Sequence, residues 1–146
     1  MNKIILLCFP LLISFCKPVS EQKTGKPTIF KIEMHLSAFG VESDDFPSIE
    51  AYIDFTNDSS SCSRSYYNPA YKDSSYKLSH EEIKKVLELL QNSDLDKIKT
   101  EYTVGKTDQP TSTLVIYTNK QKLTIKDYGL EGDKPLPQLY KIVYKF

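Results

Sequence analysis

The sequence predicts an α+β fold, a mostly antiparallel sheet of four to five strands carrying two helices on one face. Three observations lead there: two stretches that alternate apolar and polar residues in the first half, a hairpin of alternating strands in the last third, and two segments with apolar residues at helical spacing. Their order, β-β-(β)-α-β-β-α, is that of a two-layer sandwich. One such domain over residues 28–146 is long enough to bury a core without a disulfide or a metal.

The first strand is carried by Phe30, Ile32, Met34, Leu36 and Ala38, which alternate with Lys31, Glu33, His35 and Ser37. Asp44-Asp45-Phe46-Pro47 interrupts it. Ile49, Ala51, Ile53 and Phe55 then alternate with Glu50, Tyr52, Asp54 and Thr56 as a second strand, closed by Asn57-Asp58-Ser59. Cys62 to Tyr71 is rich in Ser, Tyr, Asn and Pro and reads as a loop or a frayed edge, with a short strand near Ser75 to Leu78.

Ser79-His80-Glu81-Glu82 fits a capping box, Ser79 at the N-cap and Glu82 three residues on, so a helix is expected over 80–91 with Ile83, Val86, Leu87 and Leu90 on its apolar stripe and Asn92 at its end. Leu95 and Ile98 suggest a further half-turn. Thr113 to Thr118 and Lys122 to Tyr128 flank Asn119-Lys120-Gln121 as the hairpin, with Leu114, Ile116, Leu123 and Ile125 facing the core. Leu136, Leu139, Tyr140, Val143 and Phe146 close the chain as a second amphipathic helix. With the helices on the Phe30/Ile49 side, the opposite face carries Lys31, His35, Glu50, Tyr52, Asp54, Tyr117, Lys122, Thr124 and Lys126.

The N-terminus follows different rules. Met1-Asn2-Lys3 precedes an apolar run from Ile4 to Phe15, twelve residues against the about 20 that a membrane-spanning helix needs, so residues 1–15 read as a signal peptide. Ile13-Ser14-Phe15-Cys16 resembles a bacterial lipobox, in which the cysteine receives a diacylglyceryl thioether and becomes the new N-terminus; Phe15 stands where a small residue is usual. Residues 16–27 are then the lipid attachment and a polar tether, and the membrane is a partner through the lipid on Cys16. With Cys16 lipidated, Cys62 has no intramolecular partner and reads as a small structural hydrophobe; without lipid, a Cys16–Cys62 bridge is open.

The segment from Lys77 to Gly129 carries four motifs: the LS-x-E-E helix start at Leu78 to Glu82, an aromatic at Tyr102, a D-x-P-T lead into the hairpin at Asp108 to Thr111, and the exit Lys126-Asp127-Tyr128-Gly129. In these it resembles a family of short bacterial lipoprotein and exported domains of unknown function. The resemblance implies fold and export and no activity. Relatives often carry a Gly/Cys-rich loop ahead of the second strand; Ala38 to Glu42 stands there without a cysteine, so no role of that loop carries over.

Composition narrows the function classes. Nineteen basic residues balance nineteen acidic ones, which gives no field for nucleic acid. His35 and His80 stand in no metal-ligand spacing, and Glu42, Asp44 and Asp45 lack the alternation and central glycine of a calcium loop, so no metal and no cofactor is expected. Ser74-Ser75-Tyr76-Lys77 matches S-x-x-K, but it precedes the helix cap, where the two side chains point to opposite faces of a strand. Tyr66, Tyr67 and Tyr71, with Tyr52 and Tyr117 on the strands, are the candidate binding surface, since tyrosine supplies contact area at low entropic cost.

The expected protein is a lipoprotein anchored to a bacterial cell membrane, whose non-enzymatic domain binds a protein or glycan of the envelope. Two alternatives stand beside it. One is an exported hydrolase using Asp108 and Asp127, which flank one hairpin and otherwise read as turn-capping carboxylates; the other is a soluble periplasmic inhibitor-like domain with Cys16 unlipidated.

Overall fold

The computed structural model describes residues 25–145. The stretch 1–15 expected to be a signal peptide, Cys16, the expected tether up to residue 24, and Phe146 lie outside the described residues. The architecture is α+β with one seven-stranded mixed sheet, in the order β4-β3-β2-β1-β6-β7-β5. The strands are β1 (Ile29–Ser37), β2 (Ser48–Asp54), β3 (Ser59–Ser65), β4 (Ser74–Tyr76), β5 (Glu101–Tyr102), β6 (Thr111–Thr118) and β7 (Lys122–Tyr128), and the helices are α1 (His80–Gln91) and α2 (Leu136–Val143).

This corrects the expected sheet of four to five antiparallel strands in two ways. Ser59–Ser65, read from sequence as a turn and loop, is a full strand paired with β2 from Ser48↔Ser65 to Asp54↔Ser59. Its core-side residues are Ser60 and Cys62, too small and polar to show hydrophobic alternation; the backbone ladder and the Ser60 hydroxyl, which accepts from Leu78 N–H at 2.8 Å, hold it instead. The second addition is β5, two residues long, which pairs parallel to β7 and makes the sheet mixed. It follows a 3-10 turn at Leu95–Lys97, and no period can be read from two residues.

A third correction concerns Phe30. The register of β1 against β6 shifts between Ile29 and Lys31, a bulge that places Ile29 in the core and turns Phe30, 41% exposed, to the other face. Beyond the bulge the alternation holds: Ile32, Met34 and Leu36 lie in the core, opposite Ile53, Ala51 and Ile49 on β2 and Ile116, Leu114 and Ser112 on β6.

Both helices pack on this core face. Ser79 caps α1 through a reciprocal box with Glu82, and Ile83, Val86 and Leu90 are buried. Leu136, Leu139, Tyr140 and Val143 bury the stripe of α2. Lys145 reaches Glu82 at 3.0 Å and ties the end of α2 to the start of α1. Among the described residues no helix is long and apolar enough to cross a membrane.

Candidate functional site

The expected tyrosine surface divides in two. β1 leaves the sheet at Ser37, β2 enters at Ser48, and β3 leaves at Ser65, so the loops 38–47 and 66–73 lie at one end of the sheet, opposite the end where the chain begins β1. Tyr66, Tyr67 and Tyr71 stand on the second of these loops. Tyr66 and Tyr71 rings lie 5.4 Å apart, Asp73 accepts from Tyr66 N–H at 3.2 Å, and Tyr67 is 97% exposed. Asn68 bridges to Asp44 at 3.2 Å, which links the two loops. The first loop presents Phe39, 93% exposed, a residue outside the expected tyrosine surface. Its signal was there: a large aromatic immediately before Gly40, whose positive φ of 88° makes the turn at the loop tip.

Tyr52 and Tyr117 lie instead on the open face of the sheet, Tyr117 toward its far end. Tyr117 OH donates to Glu33 at 2.9 Å and Lys31 Nζ donates to the other Glu33 oxygen at 2.8 Å. Lys31 and Lys122 ammoniums sit 4.2 and 5.3 Å from the Tyr117 ring centroid, and Phe30 leans on it at 6.3 Å. The Lys31 bond holds the Glu33 carboxyl below its ordinary value, and the same bond holds Lys31 above its own. Tyr52 is half exposed beside Glu33 in register. Tyr76 points into the core side, where its OH donates to Val143 C=O at 2.6 Å; burial pushes its phenol up to about 12.

The two carboxylates of the hydrolase alternative are placed differently. Asp108 is exposed on a turn with φ of 59°, while Asp127 is 1% exposed. One Asp127 oxygen accepts from Gly132 N–H at 2.9 Å and from Tyr140 OH at 2.8 Å; the other makes no hydrogen bond. Tyr140 stacks on Tyr144, whose hydroxyl meets Ser112 at 2.7 Å, and burial raises both phenols well above the usual tyrosine range. Asp127 thus fastens the β7–α2 connection to the core.

Cys62 is buried and free, and burial pushes its thiol up, the environment of an inert cysteine. His80 Nδ1 meets the Asp58 carboxylate across the turn between β2 and β3. Asp45 accepts from the Ser43 hydroxyl, and Asp44 is taken up by Asn68. Among the described residues no group of His, Cys, Asp and Glu is arranged to hold a metal ion. A cleft of about 710 Å³ lies between Gly25–Ile29, the end of α1 and the 3-10 turn; of its lining residues, Lys26 Nζ donates to Gln91 C=O at 3.1 Å, Lys120 Nζ donates to Gly25 C=O at 2.8 Å, and Asp94 pairs with Lys97 at 2.8 Å.

No curated protein and no solved structure matches the chain. Residues 43–146 match the profile of a domain of unknown function, DUF6438, and the chain therefore belongs to that family.

Proposed function

We propose that this protein is a bacterial lipoprotein, held to a membrane of the cell envelope by lipid on Cys16, whose domain binds an envelope protein or glycan without catalysing a reaction. The observation that carries the binding role is the pair of aromatic loops, with Phe39 and Tyr67 almost fully exposed. Large aromatic rings kept in water at two adjoining loop tips are a cost to solubility that contact with a partner offsets. Their position supports the same reading. The tether joins the domain at the start of β1, and nine residues of strand at about 3.3 Å each carry the loops roughly 30 Å farther from the anchor.

The anchor is tested by the intact mass of the protein extracted from membranes. A chain beginning at Cys16 plus diacylglycerol is expected, and an unmodified mass removes the anchor from the proposal. The binding role is tested by co-sedimentation of a Cys16→Ser chain with purified envelope fragments. Replacing Phe39 and Tyr67 together by Ser is expected to lower retention at least tenfold with the circular dichroism spectrum unchanged. Unchanged retention refutes the loop site, and prior treatment of the fragments with protease or glycosidase tells protein from glycan.

A further inference from the structure

We propose that the open face of the sheet is a dimer interface, and that its occupant is the same face of a second copy of this chain. The pairing registers arrange this face in rows that cross β2, β1, β6 and β7 in turn. One row starts at Asp54 on β2 and ends at Lys122 on β7; the next runs from Tyr52 to Thr124; the third runs from Glu50 to Lys126. In the first and third rows an acidic residue therefore occupies the β2 flank and a lysine the β7 flank. Three strand spacings of about 4.8 Å put about 14 Å between the flanks; within one chain Lys31 lies beside Asp54 and Glu33 is near enough to feel Lys122, whereas His35 and Thr113 stand between Glu50 and Lys126. Glu101 on β5 neighbours Lys126 in register, and among the described residues no ion pair joins the two.

This layout is complementary to itself. A two-fold axis parallel to the strands, running between β1 and β6, exchanges β2 with β7 and keeps each row opposite itself. Glu50 of one copy then faces Lys126 of the other, and Asp54, whose oxygens also accept from Thr56 N–H and from Asn57, faces Lys122, each pair occurring twice. A two-fold axis across the strands would instead set acid over acid and base over base, so the charges select one arrangement. The long lysine side chains accommodate the about 30° angle at which aligned sheets pack.

The centre of the face suits contact. Val115 and the Phe30–Tyr117 ring pair lie by the axis, and the bond to Glu33 fixes Tyr117 before any partner arrives. The four strands β2, β1, β6 and β7, about 4.8 Å apart, and seven residues at about 3.3 Å span a face of roughly 19 by 23 Å, or about 440 Å² in projection. Side-chain relief adds to this projection, which places the contact at the small, weakly associating end of specific interfaces, below the about 800 Å² per partner of a standard one. Aligned face-to-face packing leaves both aromatic loops at the rim, free for the partner proposed above.

The test uses the full chain carrying Cys16→Ser in detergent micelles, with mass read by sedimentation. Glu50→Lys makes both flanks basic in one row, and Lys126→Glu makes both acidic; both positions are exposed, and circular dichroism checks the fold. The unaltered face is expected to give a dimer, and each variant alone to raise the dissociation constant at least tenfold. An equal mixture of the two variants is expected to regain the dimer, because the all-basic row of one copy would then lie against the all-acidic row of the other. A single-chain mass up to millimolar concentration, or a dimer indifferent to both reversals, overturns the proposal. Retention on envelope fragments is measured in parallel. A monomer whose retention falls on Glu50→Lys overturns the second copy and assigns the face to another partner, while the loop site stands or falls by its own variants.

Discussion

Asp127 illustrates how a residue with the makings of a catalytic group becomes a fastener. Its position two residues after Ile125 puts it on the core face of β7, and the alternation of that strand already says so. Beside Tyr128-Gly129 it can cap a turn, and the bond to Gly132 N–H is of that kind. The bond to Tyr140, thirteen residues on, depends on where α2 lands. Asp127→Ala would strand the Gly132 N–H and the Tyr140 hydroxyl in the core, and is expected to cost about 2–4 kcal/mol. Gly132→Ala tests the same joint from the other side: a Cβ there would lie 2.6 Å from both Asp127 Oδ2 and Leu136 Cδ1, and is expected to cost about 1–3 kcal/mol. Urea unfolding reads both as lower midpoints at unchanged slope. An Asp127→Ala chain that unfolds at the original midpoint would dismiss the fastening role.

Among the elements, α1 was the most legible because its start is written locally. Ser79 and Glu82 are three residues apart and satisfy each other's backbone donors at 3.2 and 2.7 Å. Ser79→Ala is expected to cost about 1 kcal/mol. The Ser79 N–H, ahead of Lys145, holds the Glu82 carboxyl below its ordinary value of 4.5. A carboxyl lowered in the folded state stabilises above its unfolded pKa and loses that contribution as pH falls through the folded one. The stability gap between the original chain and Glu82→Gln is therefore expected to be widest near neutral pH and to close below about pH 4, as read by urea midpoints; a gap constant from about pH 7 to about pH 3 would contradict this. By contrast β3 was illegible, since serines carry no hydrophobic period and only the ladder to β2 makes Ser59–Ser65 a strand.

For the molecule as a whole, the decisive strand is β1. It sits at the centre of the sheet, between the β2-β3-β4 and β6-β7-β5 halves, yet the family segment begins at residue 43, after it. Ile32, Met34 and Leu36 are all buried to within 2% of full cover, and without them the halves have no shared ladder. A chain of residues 43–146 is expected to lose cooperative urea unfolding, whereas residues 28–146 keep it. A sigmoidal transition of native slope from the shorter chain would show that the two halves close on each other directly.

Local pattern was enough to specify the alternation of β1, β2, β6 and β7, the capped start of α1, the apolar stripe of α2, and the polar face opposite the core. Long-range pairing settled the features that no local pattern encodes. It turned a serine-rich stretch into β3 and two residues into β5, and a bulge at Ile29 moved Phe30 across the sheet. Register alone set Glu50 in line with Lys126, and chain reversal alone brought Phe39 and Tyr67 to the same end. The difference is one of range: burial period and capping act within a few residues, while ladder hydrogen bonds join segments the chain must first fold back to bring together.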